Sequence, residues 1–274
     1  MSLSPRAIIV GILLVILICL IVSYAELVIT YIQIGFLQLP PVVIGVFFIL
    51  IVLNRLLGRI HPRLPLTERE LMVVYCMMLL ASMICSRGLM EKLIPALIAV
   101  NYYANDTNEW AEIFFKNINP YLVPFDVSGK GAQPVAVKFY EGLDPTEPIP
   151  WGRWIPPLLV WGVVVVLIFF GFLCMAAILR RQWVDNEKLT FPLVQLPLEF
   201  VRDAYTHRFF GNRLMWLGFA IPALIFTLNG LHNINPTVPH IKLNIYLNRY
   251  FTEKPFNAIF YTPAFLSFAG IGFF

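Results

Sequence analysis

Three ionisable residues, Arg87, Glu91 and Lys92, stand in a stretch from Leu71 to Val100 that is otherwise uncharged. Charge inside a membrane segment is expensive, so such residues mark substrate paths, ion paths or proton relays. Arg87 and Glu91 are four apart, the spacing at which opposite charges meet on one helical face. In that setting Arg87 or Lys92 engages an anionic group of a substrate. Glu91 becomes the proton-titrating acid, because burial favours the neutral form of a carboxyl. The bland alternative stays open: Ser86 already lies at the outer interface, and the three charges are solvated helix ends.

A second polar feature follows a long apolar run that closes at Arg180 and Arg181. It contains Glu187, Leu189, Phe191 and Pro192, with Thr190 a candidate N-cap and Pro192 in the first turn. A helix over 191–206 would align Gln195, Glu199, Arg202 and Thr206 on one face, with Leu193, Phe200 and Ala204 on another. That stripe either lines a re-entrant polar path, with Glu199 a second proton candidate, or belongs to an amphipathic helix lying on the bilayer surface. The surface helix is the favoured expectation, and Pro197 kinks it in either case.

Other chemistries find no support. The sequence lacks HExxH, GxSxG, P-loop and GxGxxG motifs, and His61, His207, His232 and His240 are scattered, the last two read as loop residues. Cys19, Cys76, Cys85 and Cys174 form no CxxC pair and sit in apolar stretches as small hydrophobes. We therefore expect no enzyme, no cofactor and no metal site. The 20 Lys and Arg are dispersed without a run of five, which argues against a nucleic-acid partner.

The elements that must hold these residues follow from composition. Of the 274 residues 59% are hydrophobic and 13% charged, against roughly 25% charged in a soluble domain. The fold class expected is all-α, a polytopic transmembrane bundle of about six spans. Apolar runs place them at 7–22, within 27–54 with Pro40 and Pro41 in the first turn, at 71–86 behind the capping box of Thr67 and Glu70, at 155–179 opened by Pro156 and Pro157, at 214–231, and from about 255 onward. The last is still apolar at Phe274, so the sequence is expected to be the N-terminal part of a longer protein. Residues 1–25 also fit a signal peptide, but an uncleaved first helix is the stronger expectation.

One straight helix from Glu68 to Ala104 would be about 55 Å long, against a hydrocarbon core of about 30 Å. The stretch must break, near Gly88 or Pro95. A cytoplasmic N-terminus in the inner (plasma) membrane puts Arg6, the four Arg of 55–69 and the six Lys or Arg of 180–213 inside. The outer segments 101–153 and 232–254 carry four and three, and seven of the 16 acidic residues lie in 101–153. Trp151, Trp154, Trp183 and Trp216 mark span ends.

This divides the chain into membrane helices over 1–100, an extracytoplasmic aromatic-rich segment over 101–153, and membrane helices with a cytoplasmic loop over 154–274. Within 101–153 a short amphipathic helix is expected at 108–116, with Trp110, Ile113 and Phe114 on its apolar side. Turns are expected at Gly129–Gly131 and Asp144–Pro145.

The stretch holding Glu187, Leu189, Phe191 and Pro192 resembles the Glu-x-Leu-x-(Phe/Tyr)-Pro motif of the oligopeptide transporter superfamily. In this chain Pro192 is followed by bulky residues, Leu193 to Leu198, where that superfamily has small ones. More broadly the chain resembles a group of large, uncharacterised bacterial polytopic proteins. That likeness rests on Ser4–Ala7, Leu66–Leu71, Tyr140–Leu143, Pro150–Gly152 and Arg180–Pro197. What the resemblance implies is a many-helix secondary transporter, and the expectation is a proton-coupled one for small peptides or related organic solutes. Its expected partners are the lipid bilayer, a small solute and further copies of itself. The rival reading is a non-transporting scaffold or complex subunit whose outer segment binds a partner.

Overall fold

The computed structural model describes residues 4–29, 33–61, 64–206, 210–245, 250, 253–255 and 264–265. Helix α1, Pro5–Ser23, opens on a proline, where a missing N–H removes no intrahelical bond. It runs on as a π turn, Tyr24–Ile29. Helix α2, Pro41–Ile60, also opens on a proline. Helix α3, Glu68–Cys85, starts at the expected capping box: Glu70 N–H donates to Thr67 Oγ1 (3.4 Å), and Thr67 N–H donates to the Glu70 carboxylate (2.7 Å).

Beyond a turn come α4, Met90–Tyr102, and the shorter α5, Trp110–Ile113, and α6, Pro134–Glu141. Helix α7, Trp151–Arg180, continues as a π turn over Arg181–Asn186, and α8, Pro192–Thr206, and α9, Arg213–Ile234, complete the helices described. A two-residue antiparallel ladder pairs β1, Asn244–Ile245, with β2, Ala264–Phe265. Otherwise the regular structure described is helical.

Five helical stretches among the described residues are long and apolar enough to cross a bilayer: Pro5–Ile29, Pro41–Ile60, Glu68–Tyr102, Trp151–Asn186 and Arg213–Ile234. The protein is an integral, multi-pass helical membrane protein. The sixth expected span, from about 255, lies almost wholly outside the described residues; of its residues, Ala264 and Phe265 form β2.

Two compact units are formed, Met1–Tyr205 and Thr206–Phe274. In the first, α1 runs parallel to α3, and both pack on α2. Gly11 permits the close approach, since a Cβ there would stand 2.5 Å from the Met77 sulfur. Ile18, Val22, Phe47, Ile51, Val74 and Met78 form a sealed interior. On the near side, where α1 and α3 begin, Asn54 donates to the Leu66 carbonyl (3.1 Å) and accepts from its N–H (2.6 Å). Both backbone groups of a buried segment are thereby satisfied. Arg6 donates to the carbonyls of Leu64 and Pro65 on the same side.

The far side carries a folded layer. Leu97 and Ile98 of α4, Ala136 of α6 and Trp154 of α7 are buried together. Asn101 is fully buried and ties in the loop, donating to Gly131 O (3.1 Å) and accepting from Gln133 N–H (2.9 Å). Helix α7 has 30 residues, about 45 Å, which exceeds the hydrocarbon thickness. Its first turns therefore stand in this layer, where Trp161 donates to Leu122 O (3.0 Å).

That packing corrects two expectations. The helix that carries the fourth span begins at Trp151, ahead of the expected Ile155, with Pro156 and Pro157 inside it. In the segment expected to be helical over 108–116, α5 gives way to a 3₁₀ turn at Phe115, so Phe115 is buried while Ile113 and Phe114 are exposed. The turn expected at 144–145 is present, closed by Glu147 N–H on Asp144 O (2.9 Å), whereas the one expected at 129–131 falls earlier, closed by Gly129 N–H on Asp126 O (3.1 Å). The Ser128 N–H and hydroxyl both donate to Asp126 and hold its carboxyl below the usual range. In the second unit His232 lies in the last turn of α9, not in a loop, with its ring 5.2 Å from that of His240.

Asn54→Leu should lower stability by about 1–3 kcal/mol, because two backbone groups of Leu66 lose their partner. Thermal unfolding in detergent, compared with wild type, measures the loss.

Candidate functional site

The break falls at Ser86–Leu89. Ser86 leaves the helical region (φ −101°, ψ −161°), which ends α3. The next residues make a tight turn that only glycine tolerates: a Cβ on Gly88 would lie 2.3 Å from Met83 O. Pro95, the other candidate, sits inside α4 without breaking it. Helix α3 alone, 18 residues and about 27 Å long, makes the crossing, and α4 belongs to the far-side layer.

Arg87 and Glu91 are brought together across this turn, Nε to Oε1 at 2.8 Å. Arg87 is 40% exposed and Glu91 19%. Glu91 also sits in the first turn of α4, where the helix dipole favours negative charge. Its second oxygen, Oε2, is buried and has no hydrogen-bond partner among the described residues. Lys92 is exposed.

Behind the turn lies an acid absent from the sequence-based candidates. Glu26, in the π turn after α1, is 9% exposed. Its Oε1 accepts from the N–H groups of Ile34 (3.0 Å) and Gly35 (2.8 Å). Ser82 of α3 donates to Gly35 O (2.8 Å). A Cβ on Gly35 would stand 2.8 Å from Ser86 Cβ and 2.9 Å from Val22. The helix break and the Glu26 niche are thus adjacent faces of one junction between α1, α3 and the 33–39 segment. The available signal was a single Glu between two long uncharged runs.

On the near side, α8 begins at Pro192, one residue later than a Thr190 cap would place it. Gln195 and Glu199 are exposed, and Glu199 pairs with Arg202 at 3.2 Å, both more than half exposed. The side chain of Thr206 lies outside the described residues. Phe200 meets the rings of Phe47 and Phe48 (6.4 and 5.9 Å), and Asp203, 1% exposed, meets Arg55 at 3.8 Å. These contacts extend eight residues along α2, from Arg55 to Phe47, about 12 Å. Helix α8 thus meets α2 through Phe200 and Asp203. Of the motif residues, Glu187 accepts from Gln182 Nε2 (3.0 Å), and Leu189, Phe191 and Pro192 are exposed. The structure leaves Glu199 and the Arg87–Glu91 pair on opposite sides of the α1–α3 bundle.

A cavity of about 390 Å³ opens between α4, α6 and α7 in the far-side layer, lined by Ile94, Phe139, Trp151, Trp154 and Leu158, with Lys138 on its wall. Lys138 pairs with Glu147 at 2.5 Å.

Residues 1–274 match a protein family over their whole length. The chain belongs to DUF6785, a family of unknown function. No curated protein and no solved structure matches the chain. For this DUF6785 member the reading of function therefore rests on the junction and the cavity themselves.

A double-mutant cycle with Arg87→Ala and Glu91→Gln should give a coupling of about 0.5–1 kcal/mol, the range of a half-exposed pair. Gly35→Ala should cost about 1–3 kcal/mol through overpacking against Ser86 and Val22. Both are read from unfolding midpoints in detergent.

Proposed function

We propose that this protein is a proton-coupled secondary transporter of small peptides or related organic solutes. The observation that carries the reading is the break at Ser86–Leu89, which sets an ion pair and a partly buried acid at the end of a spanning helix. Discontinuous helices bearing charge are the recurrent means by which transporters build substrate and ion sites. In this reading Arg87 receives an anionic group of the solute and Glu91 exchanges a proton, while Lys92 adds positive potential at the mouth.

The far-side cavity supports the same reading, since its volume and mixed apolar and cationic lining suit a small organic solute. So does α8, which carries the exposed Glu199–Arg202 pair beside its contacts with α2. Glu199 is then the acid at the opposite exit. The near side is the cytoplasmic side of the inner membrane, in line with the arginines at 6, 55 and 59.

Two experiments test this. In proteoliposomes, Glu91→Gln should abolish uptake of a labelled dipeptide driven by a proton gradient while solute exchange across the membrane persists; unchanged driven uptake removes Glu91 from the mechanism. In a background lacking Cys19, Cys76, Cys85 and Cys174, single cysteines at Arg59 and Lys92 should react with an impermeant maleimide from opposite faces of the membrane. Labelling of both from one face would overturn the topology.

A further inference from the structure

Glu26 lies within the first candidate span, and the segment around it closes it off. Ser82, which pins the 33–39 segment to α3, is 14 residues along from Glu68, about 21 Å. That places the niche toward the far rim of a layer of about 30 Å. The Oε1 atom is satisfied by two N–H groups. The Oε2 atom is shut from solvent and has no hydrogen-bond partner among the described residues.

The groups that face Glu26 are few. From α3 comes Cys85, which interacts with both Cys19 of α1 and Glu26. The 33–39 segment holds no ionisable side chain. The Arg87–Glu91 pair beyond Ser86 is matched within itself. Among the described residues no Lys, Arg or His stands within ion-pair distance of Glu26. The bare Oε2, shut from solvent with no counter-charge beside it, leaves one buried oxygen for a ligand to satisfy. A metal ion on Oε2 would need several more ligands, and no group of three His, Cys, Asp or Glu stands together among the described residues. A proton needs none.

We propose that Glu26 is a reversible proton-binding site within the membrane. The proton adds to Oε2 as an O–H bond and neutralises the carboxylate while the 33–39 segment covers it; it leaves to water when that cover opens. This site is distinct from the proposed solute junction, and its test reads the carboxyl itself, so it stands or falls separately from transport.

A protonated carboxyl in apolar surroundings adds across dicyclohexylcarbodiimide, its oxygen bonding to the central carbon and its proton passing to a nitrogen, and the O-acylisourea formed rearranges to a stable N-acylurea. The purified protein in liposomes is treated across a pH series, and adducts are located by peptide mass spectrometry. The Glu26 peptide should gain one adduct, at a rate falling about tenfold per pH unit once the acid ionises. Glu26→Gln should remove it, while the exposed Glu199 stays unmodified. If that variant does not fold, the wild-type comparison of the Glu26 and Glu199 peptides decides alone. Three results overturn the proposal: no adduct at any pH, a rate indifferent to pH, or suppression by sodium at constant pH, which would assign the site to a metal cation.

Discussion

Hydrocarbon about 30 Å thick holds no water, so each charge and each broken backbone bond within it must find a partner in the protein. Most features of the first unit answer that demand. Helix α3 stops after 18 residues because the turn at Gly88 ends it at the far rim, and the first charges after the capping box, Arg87 and Glu91, come immediately afterwards as a pair. The N–H groups of Ile34 and Gly35, freed where the chain turns back between α1 and α2, are taken by Glu26. On the near side the backbone of Leu66 is taken by Asn54.

The same constraint explains why α4 and the start of α7 look like membrane helices yet serve another purpose. Their apolar residues bury one another, with α6, in the far-side layer around Leu97, Ile98 and Trp154. Below that layer α7 is largely exposed, and a helix apolar all round has the character of a membrane span. The second unit's α9 has the same character.

Much of this was legible in the linear chain. Apolar run length located all five described spans, since a helix must be apolar for as far as it touches lipid. The Thr67–Glu70 spacing located the start of α3, and the excess length of 68–104 required the break. Less was legible at the sites. The break lies at Gly88 and not Pro95 because of a steric contact with Met83 O, which no propensity records. The start of α7 was misplaced because its proline pair reads as a helix start, whereas packing on α4 and α6 supplies the earlier turns.

What the sequence by itself determined is the class: a membrane-spanning helical chain with charge at one break, because hydrophobicity and length are local, additive properties. Tertiary structure alone decided which acids are sheltered. Glu26 was a lone residue between two apolar runs until the 33–39 segment folded onto it and Ser82 held it there. Asp203, on the same helix as the exposed Glu199, is sheltered only because Phe200 meets Phe47 and Phe48 and brings it to Arg55. Burial of a carboxylate depends on residues tens of positions away, and that dependence is written in packing, not in spacing.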